Sequence, residues 1–149
     1  IFPYDGKVKD FILQNLSTAN PRISYTDIGC ASGSLVLSLA PFFSKSTGID
    51  LDSSLISLAN TKIKQGTADM QSSIVFFCKN MLSLSKITPP ENESLITCMG
   101  NTIPHLILKD EALSFFTQVK KLLLKTAFLF SKFLTMIELL PGTLYNFLL

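Results

Sequence analysis

The sequence has no C-x-x-C pair, and its three cysteines, Cys30, Cys78 and Cys98, are odd in number and widely spaced. That excludes a disulfide framework and a zinc site by spacing, so reduced thiols in a cytoplasmic protein, and no metal, are expected. Charge of one sign is equally scarce. The chain carries 13 Lys and Arg against 11 Asp and Glu, a net +2, with no run of like charges and no basic stripe. Nothing here argues for nucleic acid or a membrane surface as partner. A long apolar run is also missing. Residues 122–149 are rich in Leu and Phe, but Lys125, Lys132, Glu138 and the Pro141-Gly142 pair interrupt them before the roughly 20 apolar residues of a membrane span accumulate. No basic-then-apolar leader is present, and the chain begins at Ile1 rather than Met, so residues ahead of it are expected.

What the chain does have is a core: 47% of its 149 residues are hydrophobic, the composition of one folded domain. Val8, Phe11, Ile12 and Leu16 have helical spacing. Residues 23–28 read as a strand, 34–40 as a helix stopped by Pro41, and 47–51 as a second strand. Ser53 is a suitable N-cap for a helix carrying Leu55, Leu58, Ala59 and Ile63 and ended by Gly66. Further strands are expected at 74–78, 95–99 and 127–134, with a helix from near Asp110 presenting Ala112, Phe116, Val119 and Leu123. Continuous apolar strands alternating with helices imply an α/β, doubly wound, mostly parallel sheet. Its ligand crevice lies beyond the strand ends, where the loops at Gly29, Asp50, Asn80 and Gly100 converge.

The stretch "DIGCASG", residues 27–33, follows the first strand with small side chains that let a ligand approach the backbone. A dinucleotide fingerprint would need G-x-G-x-x-G, but Ala31 and Ser34 stand at the second and third glycine positions, which disfavours a nicotinamide-dependent oxidoreductase. "GIDLD" supplies the second signal. Asp50 ends strand two, roughly 20 residues after the loop, where a carboxylate can accept hydrogen bonds from ribose hydroxyls. Asp50 and Asp52 could each instead cap the next helix, and we assign the ribose to Asp50 and the cap region to Asp52 and Ser53.

"YTDIGCASGSLVLSLA" followed by "GIDLD" resembles the first two motifs of class I S-adenosylmethionine-dependent methyltransferases, and "SLITCMGNTIPHL" resembles the fourth-strand motif of the branch containing glycine and sarcosine N-methyltransferases. The resemblance implies a Rossmann-like fold, S-adenosylmethionine as cofactor and a small-molecule methyl acceptor, an amine. It implies that Gly29, Ala31 and Gly33 pass the methionine part, that Asp27 helps hold its amino group through water, and that Asp50, with Leu51 beside it, takes the ribose. Asn80 and Met81 would flank the adenine, while Met99, Gly100 and Asn101 line the floor near the sulfonium. Two residues depart from the common pattern. Ala31 replaces a frequent glycine, and its Cβ is harmless only at negative φ; Asn80 replaces a frequent aspartate.

Methyl transfer from a sulfonium is an in-line displacement that needs alignment and exclusion of water more than a strong acid. His105 and Asn101 are the candidate catalytic residues, His105 as acceptor or weak base, or else its ring hydrogen-bonds the neighbouring loop and orients Asn101; Tyr4 is a candidate substrate contact ahead of the first helix. The domain is expected over residues 1–134, with the C-terminal hairpin of such folds missing and 135–149 an aberrant tail. The branch commonly continues Asn-Tyr-Asp-Arg-Ile where this chain reads "LTMIELLPGTLYNFLL". Residues 135–138 can be encoded as ACTATGATAGAA, and reading one base earlier after an adenine yields Asn-Tyr-Asp-Arg. A frameshift is therefore expected; a stop codon directly after that motif in the other frame of the DNA would exclude it. The competing expectation is a defunct fragment that keeps only a cofactor half-site.

Overall fold

Five segments form five parallel strands in the computed structural model, which describes residues 6–16, 22–100, 102–106 and 108–131. In chain order the elements are α1 (Gly6–Asn15), β1 (Ser24–Ile28), α2 (Ser34–Leu39), β2 (Lys45–Asp50), α3 (Ser53–Lys64), α4 (Ala68–Ser73), β3 (Ile74–Cys78), β4 (Glu93–Cys98), α5 (Lys109–Leu122) and β5 (Leu123–Ser131). Short 3-10 segments occupy Ala40–Phe42, Met81–Lys86, which is kinked at Ser83, and Ile103–His105. The sheet runs β3-β2-β1-β4-β5 with every pairing parallel, the doubly wound arrangement expected from the sequence.

Alternation along the strands divides the core between two faces. Tyr25 and Leu95 meet Ile12, the α2 residues Leu35, Val36 and Leu39, and the α3 residues Ile56, Ala59 and Ile63 on one side. Ile28, Ile49 and Ile96 meet Met81 and Leu84 and the α5 residues Ala112, Phe115, Val119 and Leu122 on the other. Both faces are covered, as a parallel sheet requires. Each fully buried Leu, Ile, Val or Phe among these contributes about 1.5–3 kcal/mol relative to exposure.

Several local expectations are corrected. The buried face of α5 carries Phe115 and Leu122, not Phe116 and Leu123. Ala112 and Val119 are buried as expected, Phe116 packs partly buried beside Phe115, and Leu123, also partly buried, already has extended backbone (φ −70°, ψ 136°) and opens β5. That strand starts well before residue 127, and residues 132–134 of the expected strand, like the tail at 135–149, lie outside the described residues. Asp52, not Ser53, caps α3: its carboxylate accepts from Ser54 N at 2.8 Å and Leu55 N at 3.3 Å. On α1, Ile12 is buried but Phe11 is exposed. Helix α4, capped by Thr67, has no buried residue and gave no apolar pattern to read. Among the described residues no helix is long and apolar enough to cross a membrane.

Candidate cofactor site

The chain moves outward from β1 to β2 and β3, then returns to place β4 on the other flank of β1. A sheet wound this way leaves a crevice at the carboxyl ends of β1 and β4, because the connections there diverge to opposite faces. A cleft of about 660 Å³ lies there, lined by the loops after β1, β2, β3 and β4. This volume falls within the roughly 300–1,000 Å³ typical of small-molecule sites.

The loop after β1 is held in an uncommon shape. Gly29, Ala31 and Gly33 have φ of 74°, 48° and 75°, all left-handed. Ala31 thus violates the condition of negative φ expected for its Cβ. Backbone bonds fix the turn: Gly29 N and Cys30 N both donate to Ile49 O, at 2.8 and 3.0 Å, and Gly33 N donates to Cys30 O at 2.9 Å. The two outer glycines serve packing. A Cβ on Gly29 would overlap the Thr102 side chain, and one on Gly33 would overlap the Phe76 ring and press on Ala59. Gly29 and Ala31 line the cleft, whereas Gly33 is not among its lining residues.

Asp50, at the tip of β2, bridges two loops. Its Oδ2 accepts from Ala31 N at 2.8 Å and its Oδ1 from Asp52 N at 3.0 Å. A carboxylate has about four acceptor positions, so two further hydrogen bonds remain open to a ligand. Next to it, hydrogen bonds from the Ser54 hydroxyl and from the Ser54 and Leu55 amides hold the exposed Asp52 carboxyl below its ordinary pKa.

Asp27 sits under this surface rather than on it: it is 3% exposed and not among the lining residues. Thr97 Oγ1 donates to Asp27 Oδ1 at 2.6 Å, and with that proton committed the Tyr25 hydroxyl donates to Thr97 across 3.0 Å. Burial pushes the Asp27 carboxyl up to about 7, the Thr97 hydrogen bond opposes the rise, and the Asp50 charge adds to it. Burial, and secondly the Asp27 charge, also raise the thiols of Cys30 and Cys98. Neither is a ready nucleophile.

Of the other residues singled out in the sequence, Leu51, Met81, Met99, Gly100 and His105 line the cleft, and His105 is exposed there. Asn80 is not among the lining residues. Its Oδ1 caps the 3-10 segment by accepting from Leu82 N at 2.8 Å, and the neighbouring Lys79 lines the cleft instead. Asn101 and Tyr4 lie outside the described residues. Ser32, one of the small loop residues expected to admit a ligand, lines the cleft, whereas sequence reading missed Ile28, Leu55, Leu58 and Thr102. Leu55 and Leu58, spaced three apart on α3, carried a usable signal, but helical periodicity cannot separate a wall of a cleft from core. Among the described residues no group of three or more His, Cys, Asp or Glu could hold a metal ion.

A family profile described as a methyltransferase domain matches residues 26–126. No curated protein sequence matches the chain. Among solved structures, an S-adenosylmethionine-dependent methyltransferase from Clostridium acetobutylicum is similar at 21% identity and TM-score 0.66, covering 84% of this chain and 46% of that one. The CcbJ methyltransferase from Streptomyces caelestis is 18% identical with TM-score 0.69, covering 87% and 49%. Geranyl diphosphate C-methyltransferase from Streptomyces coelicolor is 14% identical with TM-score 0.68, covering 85% and 44%. The chain thus spans about half the length of these structures, and the likeness to them is one of fold. With the profile running from β1 into β5, the chain belongs to the methyltransferase-domain family.

Proposed function

We propose that the cleft binds S-adenosylmethionine and serves methyl transfer to a small-molecule acceptor, an amine, in a cytoplasmic protein whose domain occupies residues 1–134 and whose tail is 135–149. The observation that carries this reading is Asp50. A carboxylate with open acceptor positions stands at the tip of β2, beside a loop whose small residues leave the backbone accessible. That is the chemistry a vicinal diol requires, since both hydroxyls donate to one carboxylate.

The rest of the lining fits an adenosyl ligand. Leu51, Leu55, Leu58 and Met81 supply apolar surface for a purine, while Met99 and Gly100 lie along the floor at the β4 end. Asp27, beneath the 29–33 loop, is assigned to the ligand's amino group through water. Gly33 is assigned to close packing of α2 on the sheet, which frees the loop backbone to face the ligand. The bound cofactor would supply an electrophilic methyl group on a sulfonium. The protein's tasks are then alignment and exclusion of water. An amine attacks only through an unprotonated lone pair, and His105, exposed at the cleft, is the side chain assigned to accept its hydrogen bond; Asn101, outside the described residues, is assigned to the same task. The glycine and sarcosine N-methyltransferase branch is the source of the amine assignment. Proteins of similar fold include a geranyl diphosphate C-methyltransferase and a glycopeptide N-methyltransferase, so fold does not choose the acceptor.

Calorimetric titration with S-adenosylhomocysteine, with NAD as comparison ligand, tests the site. Saturable binding of S-adenosylhomocysteine alone is expected; tight binding of NAD, or of neither ligand by a folded chain, overturns the reading. Turnover with glycine, sarcosine and other small amines then separates an enzyme from a cofactor half-site that binds without transferring.

A further inference from the structure

Lys62 lies in the last turn of α3, yet its ammonium group reaches across to the loop after β1. Nζ donates to Ser32 O at 2.9 Å and to Ser32 Oγ at 2.9 Å, so one cation takes both oxygens of one residue. Ser32 lies between the left-handed Ala31 and Gly33 and lines the cleft. Three residues of positive φ in a five-residue turn are not a shape a chain keeps unaided, and Ala31 among them bears a Cβ. The turn is tied to β2 through Ile49 O and the Asp50 carboxylate. Lys62 adds the tie to α3.

An ammonium group only donates, so Ser32 Oγ accepts from Lys62 and keeps its own O–H free to donate elsewhere. Binding a cation to that oxygen polarises the O–H and makes it a stronger donor. Along this loop the charges are divided: the Asp50 carboxylate sits on Ala31 N and repels an anion there, whereas Lys62 brings a positive charge to Ser32. The loop end is therefore where a ligand's carboxylate group fits. We infer that Lys62 is a positioning residue: it clamps the 29–33 loop and directs the Ser32 hydroxyl as a donor to the carboxylate of the ligand's amino-acid part. This inference rests on the adenosyl cofactor reading above.

The test compares S-adenosylhomocysteine with 5′-methylthioadenosine, which keeps the adenosine and lacks the amino-acid part, by calorimetry on the full chain. Lys62→Met and Ser32→Ala are each expected to weaken S-adenosylhomocysteine by about tenfold, as for loss of a charge-assisted hydrogen bond, and to leave 5′-methylthioadenosine within about twofold. Lys62→Arg restores most of the loss. Combining Lys62→Met with Ser32→Ala costs little more than either alone, because both remove one unit. Unchanged binding of S-adenosylhomocysteine by folded Lys62→Met, or an equal loss of both ligands, overturns the inference; should Lys62→Met fail to fold, Ser32→Ala carries the same test. Wild-type protein that binds neither ligand overturns the cofactor reading itself, whereas wild type binding both with no effect of either variant sinks only the role given to Lys62.

Discussion

The carboxylate of Asp50 accepts a hydrogen bond from the backbone N–H of Ala31 at 2.8 Å, joining the tip of β2 to the loop after β1. One side chain thereby shapes the loop and still presents acceptors to the cleft. Replacing Asp50 should cost twice over, first in ligand contacts and then in loop order.

Asp50→Ala and Asp50→Asn are both expected to weaken S-adenosylhomocysteine binding by about 1–3 kcal/mol, the range for a lost hydrogen bond to a charged group. Asparagine does not rescue, because it offers one carbonyl oxygen where two carboxylate oxygens are in use toward Ala31 and Asp52. Calorimetry on both variants decides this. Wild-type affinity in Asp50→Asn would mean the charge and second oxygen are dispensable.

Gly33→Ala is expected to destabilise the fold by roughly 2–4 kcal/mol, combining a left-handed Cβ with overlap against the Phe76 ring. Gly48→Ala meets the same ring and the Cys30 sulfur. If the ring is the obstacle, a Phe76→Ala background should shrink both effects relative to that background. Urea denaturation of the single and double variants measures it, and strictly additive losses would place the cause elsewhere.

Much of the architecture was legible because burial on both sheet faces writes strands as unbroken apolar runs: residues 74–78 were expected and found as β3. Helix α4 was illegible for the converse reason, since it buries nothing and its N-cap Thr67 looks like any loop threonine. In the site, Asp50 and the 29–33 loop announced themselves through strand-end position and small side chains. The division of labour within that loop did not. Whether a glycine faces a ligand or a phenylalanine ring depends on Phe76, over 40 residues away, and no local pattern encodes it. The same holds for Lys62, whose partner Ser32 is 30 residues distant.

Ala31→Gly reverses the usual sign of an alanine-to-glycine change. A left-handed alanine costs about 1–2 kcal/mol, whereas the added chain entropy of glycine in the unfolded state costs about 0.4–1 kcal/mol. With φ at 48°, the first effect prevails and stability should stay level or rise by up to about 1.6 kcal/mol. Ala31→Val should fall well below wild type, because a branched side chain tolerates that backbone worse. Thermal melts of the two variants give the comparison, and a clear loss in Ala31→Gly would contradict the left-handed assignment.

The buried Asp27 carboxyl should give the protein a stability that declines with rising pH. Its ordinary pKa is 3.8 and burial lifts it to about 7, against the opposing hydrogen bond from Thr97. Between those values the folded chain holds a proton that the unfolded chain has released, so raising the pH favours unfolding. This contribution is complete below about pH 4, fades as pH climbs to about 7, and spans on the order of 4 kcal/mol. Other groups act in the same assay: Glu93 is also raised, chiefly by burial, and shares the sign, while Asp52 is lowered and opposes it. Subtracting Asp27→Asn from wild type isolates Asp27, since the amide oxygen still accepts from Thr97 but cannot titrate. The variant should therefore lose this downward slope and exceed wild type in stability above neutral pH. Thr97→Val, which removes the bond that favours the carboxylate, should move the upper edge of the window to higher pH. Denaturant titrations from pH 4 to pH 8 read all three proteins. Parallel curves for wild type and Asp27→Asn would show that Asp27 ionises freely in the folded chain, and the buried Tyr25–Thr97–Asp27 arrangement would then need another explanation.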